Sequence, residues 1–390
     1  MTSTLHDKTE MSSFLSGKFH HVDVDRIEKE LLELWLQAEN ASESDEPAVT
    51  RACSITFILF TADANAEVDA GFLLEDITLK HPCRAILAMA IPAEQEHLEA
   101  WVTARCRMIP GKSAKQICCE QITVRWEGPG TRNLASVVSP LQLVDLPTWL
   151  WCQHKRPSKE LLGPFFPFME RLVVDTAEFD DRLTYMFDLK DAYLRLKDGG
   201  ALYDLNWRRL LPWRQTIAHA FEETNGLLEL EDLDLVSSIV IGVSERTDAP
   251  PRGQSAQGLL LASWLASRLG WTFDSAKRNE DNDVDLKFKW SRKKINVSLK
   301  AVPLDTVAPG TVCFFAADFV GKEKSLVVMQ KEGCPGLVAA LMKRSEVHET
   351  LCMAEKTQSQ LVVDVLDSPL TAELYKELLD IVCELCGALK

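Results

Sequence analysis

Two stretches, Ala52-Cys-Ser-Ile-Thr-Phe-Ile-Leu-Phe-Thr61 and Arg84-Ala-Ile-Leu-Ala-Met-Ala-Ile91, set the architecture. Each is an apolar run of strand length, and the first is rich in β-branched and aromatic residues. Between them Glu67 to Leu79 reads as a helix. Strand-like runs follow at Ala100 to Met108 and Gln116 to Trp126, and Gly128-Pro129-Gly130 breaks the chain. Upstream, Val24 to Gln37 places Ile27, Leu31, Leu34 and Trp35 on one helical face. Leu134 to Leu143 reads as helix, and Thr148 to Cys152 as a short buried strand. This alternation predicts helices layered on a single sheet.

Residues 153–159 are polar and contain a proline, which places a domain boundary there. The division expected is a loose tail over 1–21, an N-terminal α/β domain over 22–157 and a C-terminal α+β domain over 158–390. In the second part Arg171 to Asp175 and Val236 to Ser244 read as strands. Asp180 to Lys197, Pro212 to Glu223 and Ala256 to Leu269 read as helices. Val284 to Trp290 alternates apolar with charged residues, as a half-exposed strand does. Ile295 to Val302, Thr311 to Phe315 and Ser325 to Gln330 continue that pattern. Leu361 to Leu366 is expected as a further strand and Thr371 to Leu385 as a closing helix. The fold class is therefore α/β to α+β, with two domains, each a mixed or antiparallel sheet packed with helices.

Composition narrows the function. The 390 residues carry 43 basic and 58 acidic side chains, a formal charge of −15. So acidic a chain repels a phosphate backbone, which argues against nucleic acid as a partner. No apolar run reaches the roughly 18 residues of a membrane span. The N-terminus lacks a basic stretch followed by an apolar one, so a cytoplasmic location is expected. The 11 cysteines are irregularly spaced and several lie in apolar runs, which suits reduced thiols.

Catalytic motifs are missing. Gly111-Lys112-Ser113 ends like a phosphate loop, but Cys106 stands where its first glycine belongs. Gly128-Pro129-Gly130 lacks a third glycine, so no dinucleotide fingerprint forms and no cofactor is expected. Gly253-Gln-Ser255-Ala-Gln-Gly258 misses the nucleophile-elbow spacing and reads as a turn opening a helix. Cys383-Glu-Leu-Cys386 fits three readings: two thiols on a helix face before a capping Gly387, a redox pair, or half of a zinc site without its other half. No metal site is expected.

One basic-aromatic phrase remains: Asp204-Leu-Asn-Trp207-Arg208-Arg209-Leu-Leu-Pro212-Trp213-Arg214. Pro212 suits the first turn of a helix. Trp213, Ile217 and Phe221 then form a stripe at four-residue spacing. Exposed, such Trp and Arg residues would anchor a protein partner. Buried, they would be a core seam with arginine paired to a carboxylate such as Asp175.

With four other phrases, taken in order, the chain resembles the OpcA family, the assembly proteins of glucose-6-phosphate dehydrogenase. Those phrases carry His81, Pro82 and Arg84; Glu120, Gln121 and Ile122; Asp145, Leu146, Pro147 and Trp151; and Arg171 with Asp175. The last phrase contributes Trp207, Arg208, Leu210, Pro212, Trp213 and Arg214. The resemblance runs over roughly residues 15 to 300. It implies a chain that performs no chemistry and that assembles and activates glucose-6-phosphate dehydrogenase, which feeds the oxidative pentose phosphate pathway and makes NADPH. In some photosynthetic relatives thiol redox state tunes the effect; here the redox candidates are Cys383 and Cys386, taken from their own spacing outside the resemblance, with thioredoxin as the second partner considered. The partner-binding candidates are Trp149, Trp151, Trp207, Arg208, Trp213 and Arg214. Alternatives are a sensor of a sugar phosphate or nucleotide, and a thiol redox sensor.

Overall fold

The computed structural model describes residues 20–41, 48–65, 67–108, 115–129, 132–197, 199–222, 227–246, 255–280, 283–321, 325–330, 336–342, 346–352, 356–368 and 372–390. The expected tail, apart from its last two residues, and Gly111-Lys112-Ser113 lie outside these. Two compact units share the chain. One takes Met1–Val174, Ala192–Tyr203 and Gln358–Pro369; the other takes Asp175–Asp191, Asp204–Thr357 and Leu370–Lys390. The chain thus enters each unit more than once, where the sequence reading draws a single division after residue 157.

Among the described residues the first unit is built on nine strands. They are β1 (His20–Val22), β2 (Ala48–Arg51), β3 (Thr56–Thr61), β4 (Arg84–Ile91), β5 (His97–Met108), β6 (Lys115–Glu127), β7 (Thr148–Gln153), β8 (Arg171–Val174) and β9 (Ala201–Asp204). Their order is β1-β5-β6-β4-β3-β7-β8-β9, and β2 also pairs with β6. The core of the sheet is parallel: β6 with β4, β4 with β3, β3 with β7 and β7 with β8. A parallel core needs cover on both faces, which explains why all six residues of β3 are buried. Glu67–Lys80 supplies the helix between β3 and β4.

The run Leu361 to Leu366 is a correction, because it lies in the helix Gln358–Asp367. Its valines favour a strand, but Leu361, Val362 and Val365 are buried at helical spacing. Ser359 Oγ donates to Asp76 Oδ2 (2.8 Å), tying this helix to Glu67–Lys80.

Among the described residues the second unit carries eight strands: β10 (Val236–Glu245), β11 (Thr272–Arg278), β12 (Val284–Trp290), β13 (Lys293–Pro303), β14 (Val312–Phe319), β15 (Ser325–Gln330), β16 (Gly336–Met342) and β17 (Glu346–Cys352). Their order is β11-β12-β13-β10-β14-β15-β16-β17. β10 runs parallel to β13, and its pairing with β14 is antiparallel, so the sheet is mixed. The alternation read in β12 is observed: Val284, Leu286 and Phe288 are buried while Lys287 and Lys289 are exposed.

The helix Ala256–Leu269 begins where its sequence says it should. The Ser255 hydroxyl accepts from Gly258 N–H (3.2 Å), and Gly270 closes the helix in the left-handed region at φ 65°. Gly258 also lets this helix approach the sheet, since a Cβ there would stand 3.2 Å from Val243 Cγ2. The closing helix, Ala372–Leu389, includes Gly387, which therefore does not cap it as expected.

Candidate functional site

The basic-aromatic phrase folds as two short helices in tandem, Leu205–Arg209 and Leu211–His219, with Pro212 in the first turn of the second. Asp204 opens the first helix by accepting from Asn206 N–H (2.9 Å). Trp207 and Trp213 are both buried, and Trp213, Ile217 and Phe221 form the expected stripe inside the core. Arg208, Arg209 and Arg214 remain half-buried.

The neighbouring arginines are served very differently. Arg209 makes a fork to Asp175, with Nη1 to Oδ1 and Nη2 to Oδ2 both at 2.7 Å. Arg209, which is not one of the partner-binding candidates, thus pairs with Asp175. Arg214 stands over the Trp207 ring, its Cζ 3.4 Å from the centroid, and gives a long hydrogen bond to Trp207 O (3.4 Å). Burial, then the charge of Arg208, push its guanidinium down to about 9. Its Nε is a buried donor with no acceptor.

Beneath this turn lies a polar network that the sequence did not announce. Asp204 accepts from Thr176 N–H (3.1 Å), Thr176 Oγ1 (2.7 Å) and Tyr375 OH (3.0 Å) as well as from Asn206. Asn206 Oδ1 accepts from Gln257 Nε2 (2.8 Å), and Gln257 Oε1 accepts from Val312 N–H (2.9 Å). Burial and then Asp175 raise the Asp204 carboxyl to about 6, against the donors that favour its charge.

The other family phrases meet in the first unit. Arg84, 2 % exposed, donates from Nε to Glu120 and from its fork to Glu28 and to Leu141 O. Arg51 Nη2 (2.7 Å) and Trp35 Nε1 (2.9 Å) complete Glu120. Burial lowers the proton affinity of Arg84, and Glu120 and Glu28 more than reverse that. Arg84 faces Thr56 across the β3–β4 register, at the amino ends of these parallel strands. Ligands of such sheets bind beyond the carboxyl ends, so this cluster holds the fold. His81 Nε2 contacts Asp367 (3.2 Å), Pro82 O accepts from Ser54 N–H (2.9 Å) and Pro147 O from Thr56 N–H (3.1 Å). Asp145 takes a left-handed φ of 66° before β7. Gln121 is buried with its amide atoms lacking partners.

Residues 74–191 match the glucose-6-phosphate dehydrogenase subunit N-terminal domain, and residues 200–379 match the corresponding C-terminal domain. The chain belongs to the OpcA family. The second match passes residue 300, where the phrase-by-phrase resemblance stops. A protein of Nostoc punctiforme with the provisional name OxPP cycle protein OpcA is 28% identical over 240 residues, 60% of this chain and 49% of that one. Its counterpart in Synechococcus elongatus is 28% identical over 256 residues, 64% of this chain and 53% of that one. The chain spans about half the length of these relatives. An oxidoreductase of Sinorhizobium meliloti shares the fold, with a TM-score of 0.50 at 8% identity, covering 86% of this chain and 97% of that one.

In this OpcA-family chain β3 is flanked by β4 and β7, so the sheet has the switch point at which dinucleotides dock in open parallel sheets. The turn leaving β3 does not fit one. Thr61 Oγ1 accepts from Asp63 N–H (3.2 Å) and Asp63 Oδ1 from Asn65 N–H (2.9 Å). Those N–H groups are already taken, and the turn brings a carboxylate rather than a cation to that strand end.

The four candidate tryptophans Trp149, Trp151, Trp207 and Trp213 are all core residues. Trp149 stacks on Tyr203 with ring centroids 5.1 Å apart, and Arg171 lies over the Trp149 ring with Cζ 5.2 Å from its centroid and donates to Tyr203 OH (3.1 Å). Of the six partner-binding candidates, only Arg208 and Arg214 keep access to solvent. A cavity of about 700 Å³ in the second unit is lined by Ile217, Phe221, Leu233, Trp264 and Leu265.

Cysteines separate into two kinds. Cys118 is disulfide-bonded, which corrects the expectation of uniformly reduced thiols. Its neighbour Cys119 is a buried thiol and not its disulfide partner. Cys383 and Cys386 are free and buried; burial pushes their thiols up to about 11 and about 12. Native protein at pH 8 should therefore alkylate at these positions at least about 100-fold more slowly than unfolded protein. Equal rates, read by mass spectrometry of the C-terminal peptide, would contradict the buried placement.

Proposed function

We propose that this OpcA-family chain is a non-catalytic cytoplasmic partner of glucose-6-phosphate dehydrogenase, promoting its assembly and activating it allosterically for the oxidative pentose phosphate pathway. The observation that carries this reading is the order of the two family domains, 74–191 then 200–379, along one chain. Two features support a role without chemistry. The family-phrase residues Arg84 and Glu120 are consumed by a structural ion cluster, and the turn after β3 is closed to a dinucleotide. Arg208 and Arg214 are the contact residues we favour, because the tryptophans beside them are inside the core.

Activation requires tighter binding to the active form of the enzyme than to the inactive one. A tenfold shift in its apparent KM corresponds to about 1.4 kcal/mol of differential binding. Titrating the dehydrogenase of the same organism with this chain should give a saturable fall in KM or rise in rate, together with co-elution on a sizing column. No kinetic change and no co-elution at micromolar excess would reject the proposal. A reductant arm would read any contribution from thiols; the burial of Cys383 and Cys386 argues for little.

A further inference from the structure

The sheet of the second unit has two unlike faces. On one, Gly258 of the helix Ala256–Leu269 stands against Val243 and Leu299, and Ile239 and Phe315 line the apolar cavity. Strand alternation sends the residues between these to the other face. There Val240 on β10 is opposite Ala316 on β14, and Phe314 is opposite Gly242 on one side and Met329 on the other. Gly242 gives the Phe314 side chain its place, since a Cβ there would stand 3.0 Å from Phe314 Cβ and 3.1 Å from Val302 Cγ2. Val240, Phe314 and Ala316 are only half-buried, and Met329 is 42% exposed. Apolar side chains adjacent across three strands make a patch, not scattered exposures. Beside it the same face turns basic. Lys287 on β12 is opposite Asn296, Lys289 is opposite Lys294, and Lys300 on β13 is level with Gly242. All four lysines are exposed. The carboxylates of the same strands are engaged, Asp274 with Lys289 and Asp285 with Ser298 Oγ (2.6 Å). Among the described residues Lys287, Lys294 and Lys300 form no ion pair. Like charges set opposite one another across strands oppose folding. A lysine field is also a local departure in a chain of charge −15.

We infer that this outer face of β12-β13-β10-β14-β15 docks a protein that brings carboxylates around an apolar centre. Under the function proposed above, on which this inference rests, that protein is glucose-6-phosphate dehydrogenase. The strip around Phe314 and Met329 supplies the contact that excludes water, and the lysines beside it orient the acidic partner. A second copy of this chain is a poor occupant, because two bodies of charge −15 repel. The face lies on other elements than Arg208 and Arg214 and adds a contact to theirs.

The test titrates the full chain into the dehydrogenase of the same organism by calorimetry. The double variant Lys287→Glu with Lys300→Glu should bind about tenfold more weakly than the parent, and its affinity should depend less on salt. Met329→Asp should weaken binding by a similar factor, about tenfold, with the lysines intact. Lys29→Glu with Lys80→Glu makes the same change in net charge on exposed helix positions elsewhere and should bind like the parent. All these positions are exposed, so melting temperatures near that of the parent are expected and confirm folding. Undiminished binding in both folded face variants would overturn the inference and leave the proposed function standing. Equal weakening by the control pair would overturn it too, by showing that net charge alone matters. A parent chain that does not bind the dehydrogenase would reject the proposed function and this inference with it. Sizing of the chain alone gives one more arm: a dimer that Met329→Asp dissolves would assign the face to a second copy and overturn the inference.

Discussion

Glu120→Ala should destabilise the first unit by about 3–5 kcal/mol, the usual cost of stripping one partner from a buried ion pair. Glu120 is wholly buried and takes Arg84, Arg51 and Trp35 Nε1. Without it Arg84, itself 2 % exposed, keeps only Glu28, which is half exposed, and the Leu141 carbonyl. The Trp35 indole N–H loses its acceptor as well, another unsatisfied buried donor. Chemical unfolding followed by tryptophan fluorescence would measure the loss. A companion double variant, Arg84→Met with Glu120→Leu, should cost less than Glu120→Ala alone, because it removes both charges together. A single variant within about 1 kcal/mol of the parent would show that the cluster is not what holds these strand ends.

That cluster also shows how far the sequence could be read. Arg84 and Glu120 stood out as members of two family phrases, yet their function as one ion pair depends on β4 and β6 being neighbours in register. The order β6-β4-β3-β7 is a property of the whole sheet, and no local pattern carries it. Their other partners, Glu28 and Trp35, lie on a helix whose apolar face alone was visible in the periodicity. Strands were legible where apolar runs were short and bounded, as in β3, β4 and β12. Leu361 to Leu366 failed because valine content and helical burial point in opposite directions there, and the packing against Glu67–Lys80 decided it.

The tryptophans give the same lesson from the site. Composition allowed either exposed anchors or a core seam, and only three-dimensional packing separates them. Trp149, Trp151, Trp207 and Trp213 lie inside, which leaves Arg208 and Arg214 as the candidates that reach solvent. Arg209 was passed over because its value lies in Asp175, which is 34 residues away in sequence. Asp204 is plainer still: its most distant donor, Tyr375 OH, comes from 171 residues downstream.

Asp204 supplies the second large effect. Asp204→Ala leaves two backbone N–H groups, a threonine hydroxyl and the Tyr375 hydroxyl without their acceptor. Losing even part of this set should cost about 3–5 kcal/mol. Asp204→Asn separates charge from hydrogen bonding through pH. The Asp204 carboxyl is raised in the folded chain from 3.8 to about 6, chiefly by burial. A raised carboxyl stabilises the fold fully below its unfolded value and loses that contribution as pH rises through the folded one. Between pH 4 and pH 7 the parent should therefore lose stability, on the order of 3 kcal/mol, relative to Asp204→Asn, whose amide does not titrate. Other titrating groups are common to both proteins and cancel in the difference. Unfolding free energies of the pair measured across this window should converge or cross toward pH 7. A difference that stays flat would mean that Asp204 does not change its charge in the native chain over this range.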